Sequence, residues 1–194
     1  MNLPNKLTLL RVFLIPFFLL FMYLEFTGHY TLALVIFAAA SITDALDGKI
    51  ARKHNLVTNF GKFLDPLADK VLVISALTVF VELDSVNMGA IPLIIIIARE
   101  FMVSGLRLLA ADGGVVVAAG IWGKLKTAFT MVTIVGVLLW LCLCFDFDLG
   151  LSVDLIDAMD NIIIPALIWI STALTIISGL IYLKGYWHLI DSDK

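Results

Sequence analysis

The chain has 194 residues, 61% of them hydrophobic and only 15% charged, with a mean hydropathy of +1.06. Soluble domains are nearer half apolar and a quarter charged, so a water-soluble globule and a disordered chain are both excluded. A formal net charge of −3 excludes a basic nucleic-acid binder, and two cysteines cannot build a disulfide framework, which leaves an integral membrane protein.

At about 20 residues per crossing this length allows roughly six spans. Charges punctuate the apolar runs and predict helices near residues 7–26, 30–52, 66–83, 88–110, 124–145 and 161–184. The runs are continuous rather than alternating, which argues against a β-barrel. The expected fold is all-α, a polytopic membrane protein forming one domain over residues 1–194.

In the first segment, Lys6 and Arg11 ahead of an apolar run imitate a secretion signal. Residues 24–29 offer no small-x-small cleavage site, so the segment reads as a retained helix, with Pro16 a candidate kink inside it. The second and third segments carry clustered aspartates, and the fourth carries Arg99 and Glu100. Only the fifth and sixth are free of charge over a full span. Cys142 and Cys144, two apart on the fifth, cannot pair and read as small apolar groups. Trp140 and Trp187 near predicted helix ends read as interfacial anchors, and the acidic stretch 146–160 as a solvated loop.

Under this six-span reading all thirteen lysines and arginines fall in the N-terminus and in 44–70, 99–126 and 184–194. The alternate segments hold Glu25, Glu82, Asp84, Asp146, Asp148, Asp154, Asp157 and Asp160. The positive-inside rule then places both termini in the cytoplasm. Four helices are interrupted at their cytoplasmic ends, by Arg11, by Asp44 and Asp47, by Asp65, Asp69 and Lys70, and by Arg99 and Glu100. Ionisable groups at that depth are costly unless paired, hydrated or ion-bound, which predicts a polar cavity open at the cytoplasmic membrane face.

The aspartates carry the chemistry. Asp44 and Asp47 are three apart near the end of the second helix, and Asp65 and Asp69 are four apart in the third. Each pair therefore shares a helix face. Pro66 suits a first helical position and Asp65 the cap before it. A loop of about a dozen residues between the pairs would let the two helices pack antiparallel and the four carboxylates converge. Ionised together they repel one another, and two divalent cations relieve that repulsion. An oxygen-only donor set selects Mg²⁺ or Mn²⁺ over zinc, and a two-metal carboxylate site suits phosphoryl transfer. Gly48 and Gly61 leave room for a nucleotide, and Arg52 offers a fork for a phosphate. Any one of these aspartates alone reads as a solvated or capping residue; four at this spacing, with both glycines, do not.

The pattern D-x₂-D-G-x₂-A-R-x₈-G-x₃-D-x₃-D is carried by Asp44, Asp47, Gly48, Ala51, Arg52, Gly61, Asp65 and Asp69. It resembles the signature of the CDP-alcohol phosphatidyltransferases, six-helix membrane enzymes that form homodimers. Residues 2–11, 98–101, 105–111 and 123–127 extend the likeness along the whole chain. They resemble members whose acceptor is glycerol 3-phosphate, with one departure at Thr130, where those members carry glutamine.

The resemblance implies that Asp44, Asp47 and Asp65 ligate two divalent cations, and that Asp69 completes the site and serves as general base. It implies that Gly48, Arg52 and Gly61, with Asn5 and Thr8 nearby, hold the CDP moiety of CDP-diacylglycerol. Glycerol 3-phosphate brings a phosphate dianion, for which Arg107 is the first candidate, with Lys124, Lys126, Arg99 and Arg11. The implied setting is the bacterial cytoplasmic membrane. Phosphatidylglycerol, serine and inositol phosphate are the alternative acceptors. Outside the family, the competing readings are a divalent-cation transporter and a non-catalytic scaffold.

Overall fold

The computed structural model describes residues 3–54, 59–112, 120–147 and 149–187. Among them all regular structure is helical. The principal helices are α1 (Leu3–Tyr23), α2 (His29–His54), α3 (Asn59–Glu82), α4 (Ala90–Asp112), α5 (Ile121–Leu141), α6 (Val153–Ala158) and α7 (Ile164–Tyr186). A short 3₁₀ turn, Asp84–Val86, precedes α4, and π turns at Cys142–Asp146 and Met159–Ile163 follow α5 and α6. Among the described residues three stretches are long and apolar enough to cross a membrane: Asn5–Tyr23, Ile121–Asp146 and Val153–Tyr186. His29–Asp44 is a shorter apolar helix. The protein is thus a multi-pass membrane protein.

The chain divides into two compact units, Met1–Glu82 with Ile134–Ile156, and Leu83–Thr133 with Asp157–Lys194. In the first unit α1 packs against α2 and α3. Its buried stripe is Asn5, Thr8, Arg11, Ile15, Phe18 and Met22, at the three- and four-residue intervals of one helix face. The matching stripe of α2 is Tyr30, Ala33, Phe37 and Ala40. Phe18 and Phe37 meet with ring centroids 5.7 Å apart. Lipid is as apolar as these side chains, so burial alone does not join the helices. The alanines let the backbones approach, and close packing supplies the attraction.

Several boundaries differ from those predicted. Helix α3 begins at Asn59, so Pro66 and Asp65 lie inside it rather than at its start. The reason is packing. Ala68, Leu72, Ala76 and Val79 form one buried stripe, Gly61 two turns earlier is buried as well, and packing of this kind outweighs the backbone bond that proline removes. With α2 running to His54 and α3 starting at Asn59, both helices take up residues that were expected in the dozen-residue loop.

The acidic stretch after α5 is not a plain loop either. Asp154, Asp157 and Asp160 recur every third residue among apolar ones, which suits a helix with one polar side. Asn161 donates to Asp157 Oδ1 at 2.8 Å, one turn back.

Asp146 ends the first π turn and caps α2 from outside. Its Oδ1 accepts the Gly28 N–H at 3.1 Å, and its Oδ2 accepts the Thr31 N–H at 2.5 Å and the Thr31 hydroxyl at 2.6 Å. Gly28 sits at φ 99°, a left-handed conformation that other residues adopt only with strain. Asp146→Ala is expected to cost about 1–2 kcal/mol of unfolding free energy, because a first-turn cap and a favourable dipole contact go together. Thermal unfolding in detergent checks this, with the exposed Asp154→Ala as the comparison that changes little.

Trp140 is another departure. It is 6% exposed, enclosed by protein, whereas Trp187 is exposed as expected. Cys142 is buried, and neither it nor Cys144 forms a disulfide.

Candidate active site

The polar part of the α1 stripe decides what surrounds the aspartates. Asn5, Thr8 and Arg11 occupy the same helix face as Ile15 and Phe18, one to three turns nearer the N-terminus. On α2 the stripe Tyr30–Ala33–Phe37–Ala40 reaches Asp44 at the next four-residue step. The packing that joins Phe18 to Phe37 therefore brings Arg11 to Asp44, with Nη1 2.9 Å from Oδ1. The Arg11 side chain is fully buried while that of Asp44 is 41% exposed. Arg11 Nε also donates to the Ala40 carbonyl at 3.4 Å. A buried guanidinium needs a counter-charge, and here a candidate metal ligand provides it.

Asp44, Asp47, Gly48 and Arg52 lie in the last three turns of α2, and Gly61, Asp65 and Asp69 in the first three of α3. The two helices touch. The intervals of three and four hold, since both members of each pair lie within one continuous helix. Gly61 is buried and Asp69 half-buried. The side chains of Asp47, Arg52 and Asp65, and the surroundings of Gly48, lie outside the described residues. Among the described residues no three histidines, cysteines or acids group closely enough to hold a metal. The donor set at these backbone positions is all carboxylate, with one member half-exposed beside a cation, and that chemistry fits a hard divalent ion.

The candidate cations other than Arg11 belong to the second unit, where α4 packs on α7. Arg107 and Lys124 are exposed; Arg99 and Lys126 are not. Glu100 Oε1 accepts from Arg99 Nη1 at 3.0 Å and from Lys126 Nζ, so one carboxylate answers two cations. Arg99 Nη2 donates to Ser178 Oγ at 2.6 Å. Thr130, the departure from the family pattern, is buried and shares a 2.8 Å hydrogen bond with Ser171 while donating to the Lys126 carbonyl. A short hydroxyl suffices there.

The side chain that sequence reasoning missed is Tyr182 of α7, 5% exposed. Its hydroxyl oxygen accepts from Arg107 Nη2 at 3.1 Å and from the Gly120 N–H at 2.9 Å. The guanidinium carbons of Arg99 and Arg107 each lie 5.6 Å from its ring centroid. Two glycines make the room. A Cβ at Gly123 would stand 3.3 Å from the Tyr182 ring, and one at Gly179 would stand 3.1 Å from Arg99 Cγ. The signal was present in the sequence: Ser171, Thr175, Ser178 and Tyr182 recur at helical intervals in an otherwise apolar span, and all four are buried.

A family model described as CDP-alcohol phosphatidyltransferase matches residues 1–177. The chain is 41% identical over 206 residues to a Bacillus subtilis protein, covering all of this chain and 99% of the relative. It is 40% identical to one from Rickettsia typhi, over 95% and 96% of the two chains. It is 45% identical over 141 residues to one from Haemophilus influenzae, covering 72% and 76%. All three relatives are named CDP-diacylglycerol–glycerol-3-phosphate 3-phosphatidyltransferase.

Proposed function

This chain belongs to the CDP-alcohol phosphatidyltransferase family, and from that premise we propose that it transfers a phosphatidyl group from CDP-diacylglycerol to glycerol 3-phosphate. The products are phosphatidylglycerophosphate and CMP. The observation that carries this reading is the likeness to relatives of that name over nearly the whole of both chains, together with an intact eight-position aspartate and glycine pattern.

In the proposed reaction the C1 hydroxyl oxygen of glycerol 3-phosphate bonds to the lipid-side phosphorus. The bond from that phosphorus to the bridging oxygen breaks, and CMP departs with the electron pair. Asp69 takes the hydroxyl proton on a carboxylate oxygen. Asp44, Asp47, Asp65 and Asp69 are the residues that hold two divalent cations, Mg²⁺ or Mn²⁺. Bound there, the ions supply neutralisation of the pyrophosphate charge. Arg52 contacts the CDP phosphates, Gly48 and Gly61 keep space for the nucleotide, and Asn5 and Thr8 lend polar groups to the same moiety. Arg11 holds Asp44 in place rather than meeting the acceptor, since its guanidinium is buried against that carboxylate.

Arg107 and Lys124 meet the acceptor phosphate, and Arg99 and Lys126 add positive charge while paired to Glu100. The reading includes six spans, one catalytic domain, both termini and the reaction centre on the cytoplasmic side of the bacterial cell membrane, and a homodimer. Support for the sidedness is the confinement of every lysine and arginine to alternate segments.

The test measures CMP release from CDP-diacylglycerol in detergent micelles with Mg²⁺, offering glycerol 3-phosphate, phosphatidylglycerol, serine and inositol phosphate in turn. Release with glycerol 3-phosphate alone is expected, lost on chelation. Release with serine but not glycerol 3-phosphate would overturn the acceptor. Metal flux into liposomes without CMP chemistry would favour a transporter.

A further inference from the structure

We propose that Tyr182 is a positioning residue that sets the arginine pair Arg99 and Arg107 for the acceptor phosphate, an inference resting on the reading of Arg107 as a phosphate-binding group. Two guanidinium groups near one another repel, and long side chains on a helix surface sample many rotamers. Tyr182 opposes both tendencies. Its ring attracts each guanidinium through the negative charge of the π-face, at 5.6 Å in both cases. Its hydroxyl oxygen takes one N–H of Arg107.

The ring itself is held. It is 5% exposed, its hydroxyl oxygen also accepts the Gly120 N–H at the start of α5, and Gly123 lies against its edge. Arg99 has Nη1 on Glu100 and Nη2 on Ser178, which leaves it a fixed source of positive charge. Arg107 is exposed, so it is the member of the pair that reaches an anion. Anchoring it beforehand lowers the ordering cost that a phosphate dianion would otherwise meet on binding. The effect belongs to acceptor affinity, and neither the chemical step nor the nucleotide is involved.

Tyr182→Phe keeps the ring and removes the hydroxyl. It is expected to raise the KM for glycerol 3-phosphate roughly tenfold, the worth of one hydrogen bond to a charged group. Its kcat and its KM for CDP-diacylglycerol should stay within about twofold of the parent. Arg107→Ala should raise the same KM at least as much, and the double variant should match Arg107→Ala alone, because the tyrosine acts through that arginine.

Additive losses in the double variant, or equal damage to kcat and to both KM values, would show a packing role and overturn the inference. An effect of Arg107→Ala without one of Tyr182→Phe would remove Tyr182 alone. No effect of Arg107→Ala would remove the phosphate reading beneath it.

Discussion

Asp69→Asn is expected to lower CMP release from CDP-diacylglycerol by roughly 10²–10⁴-fold at saturating concentrations of both substrates. The amide has nearly the shape of the carboxylate, so the helix and its packing are preserved. An amide oxygen cannot take up the hydroxyl proton at neutral pH, and it carries no charge to offer a divalent cation. Asp69 is half-buried within α3, well inside the helix rather than at a frayed end. Thermal unfolding should therefore barely move while turnover collapses. An Asp69→Asn protein that kept a tenth or more of the parent rate would remove Asp69 from the proton-accepting role. The exposed Asp84→Asn, two residues past the end of α3, is the comparison that should stay fully active.

The second large effect is on stability, and it is asymmetric. Asp44→Ala deprives the fully buried Arg11 guanidinium of its carboxylate, whereas Arg11→Met leaves behind a carboxylate that is 41% exposed and can be hydrated. Breaking a buried pair from one side typically costs 3–5 kcal/mol, roughly. Because Asp44 reaches solvent, the loss from Asp44→Ala should be about 2 kcal/mol, and that from Arg11→Met smaller.

The double variant should recover most of the loss, since an apolar side chain of similar length replaces a buried charge that has lost the Asp44 carboxylate. Unfolding in detergent with divalent ions chelated measures all three, so that no bound cation contributes. Equal losses from the two single variants, or a double variant worse than either, would mean that the Arg11–Asp44 contact is not what holds α1 to α2 at this end.

Much of the architecture could be read from local pattern. Apolar runs interrupted by charge located every long helix to within a few residues, apart from the early start of α3. The departures have a common cause. Pro66 reads as a helix start because it lacks a donor, yet α3 runs through it to Asn59. Asp146 reads as a solvated charge because its neighbours are acidic, yet it caps a helix that begins more than a hundred residues earlier. Trp140 reads as an anchor from its place near a helix end, yet its indole is buried in protein.

The candidate site divides in the same way. Residue spacing alone establishes that Asp44 and Asp47 share one face and that Asp65 and Asp69 share another. Spacing does so because a helix repeats every 3.6 residues whatever surrounds it. That Arg11 meets Asp44, that Glu100 answers both Arg99 and Lys126, and that Tyr182 gathers two arginines are facts of helix against helix. Arg107 and Tyr182 stand 75 positions apart along the chain. No periodicity within either helix encodes their meeting, because it depends on which faces pack, at what depth, and on the glycines that let them close.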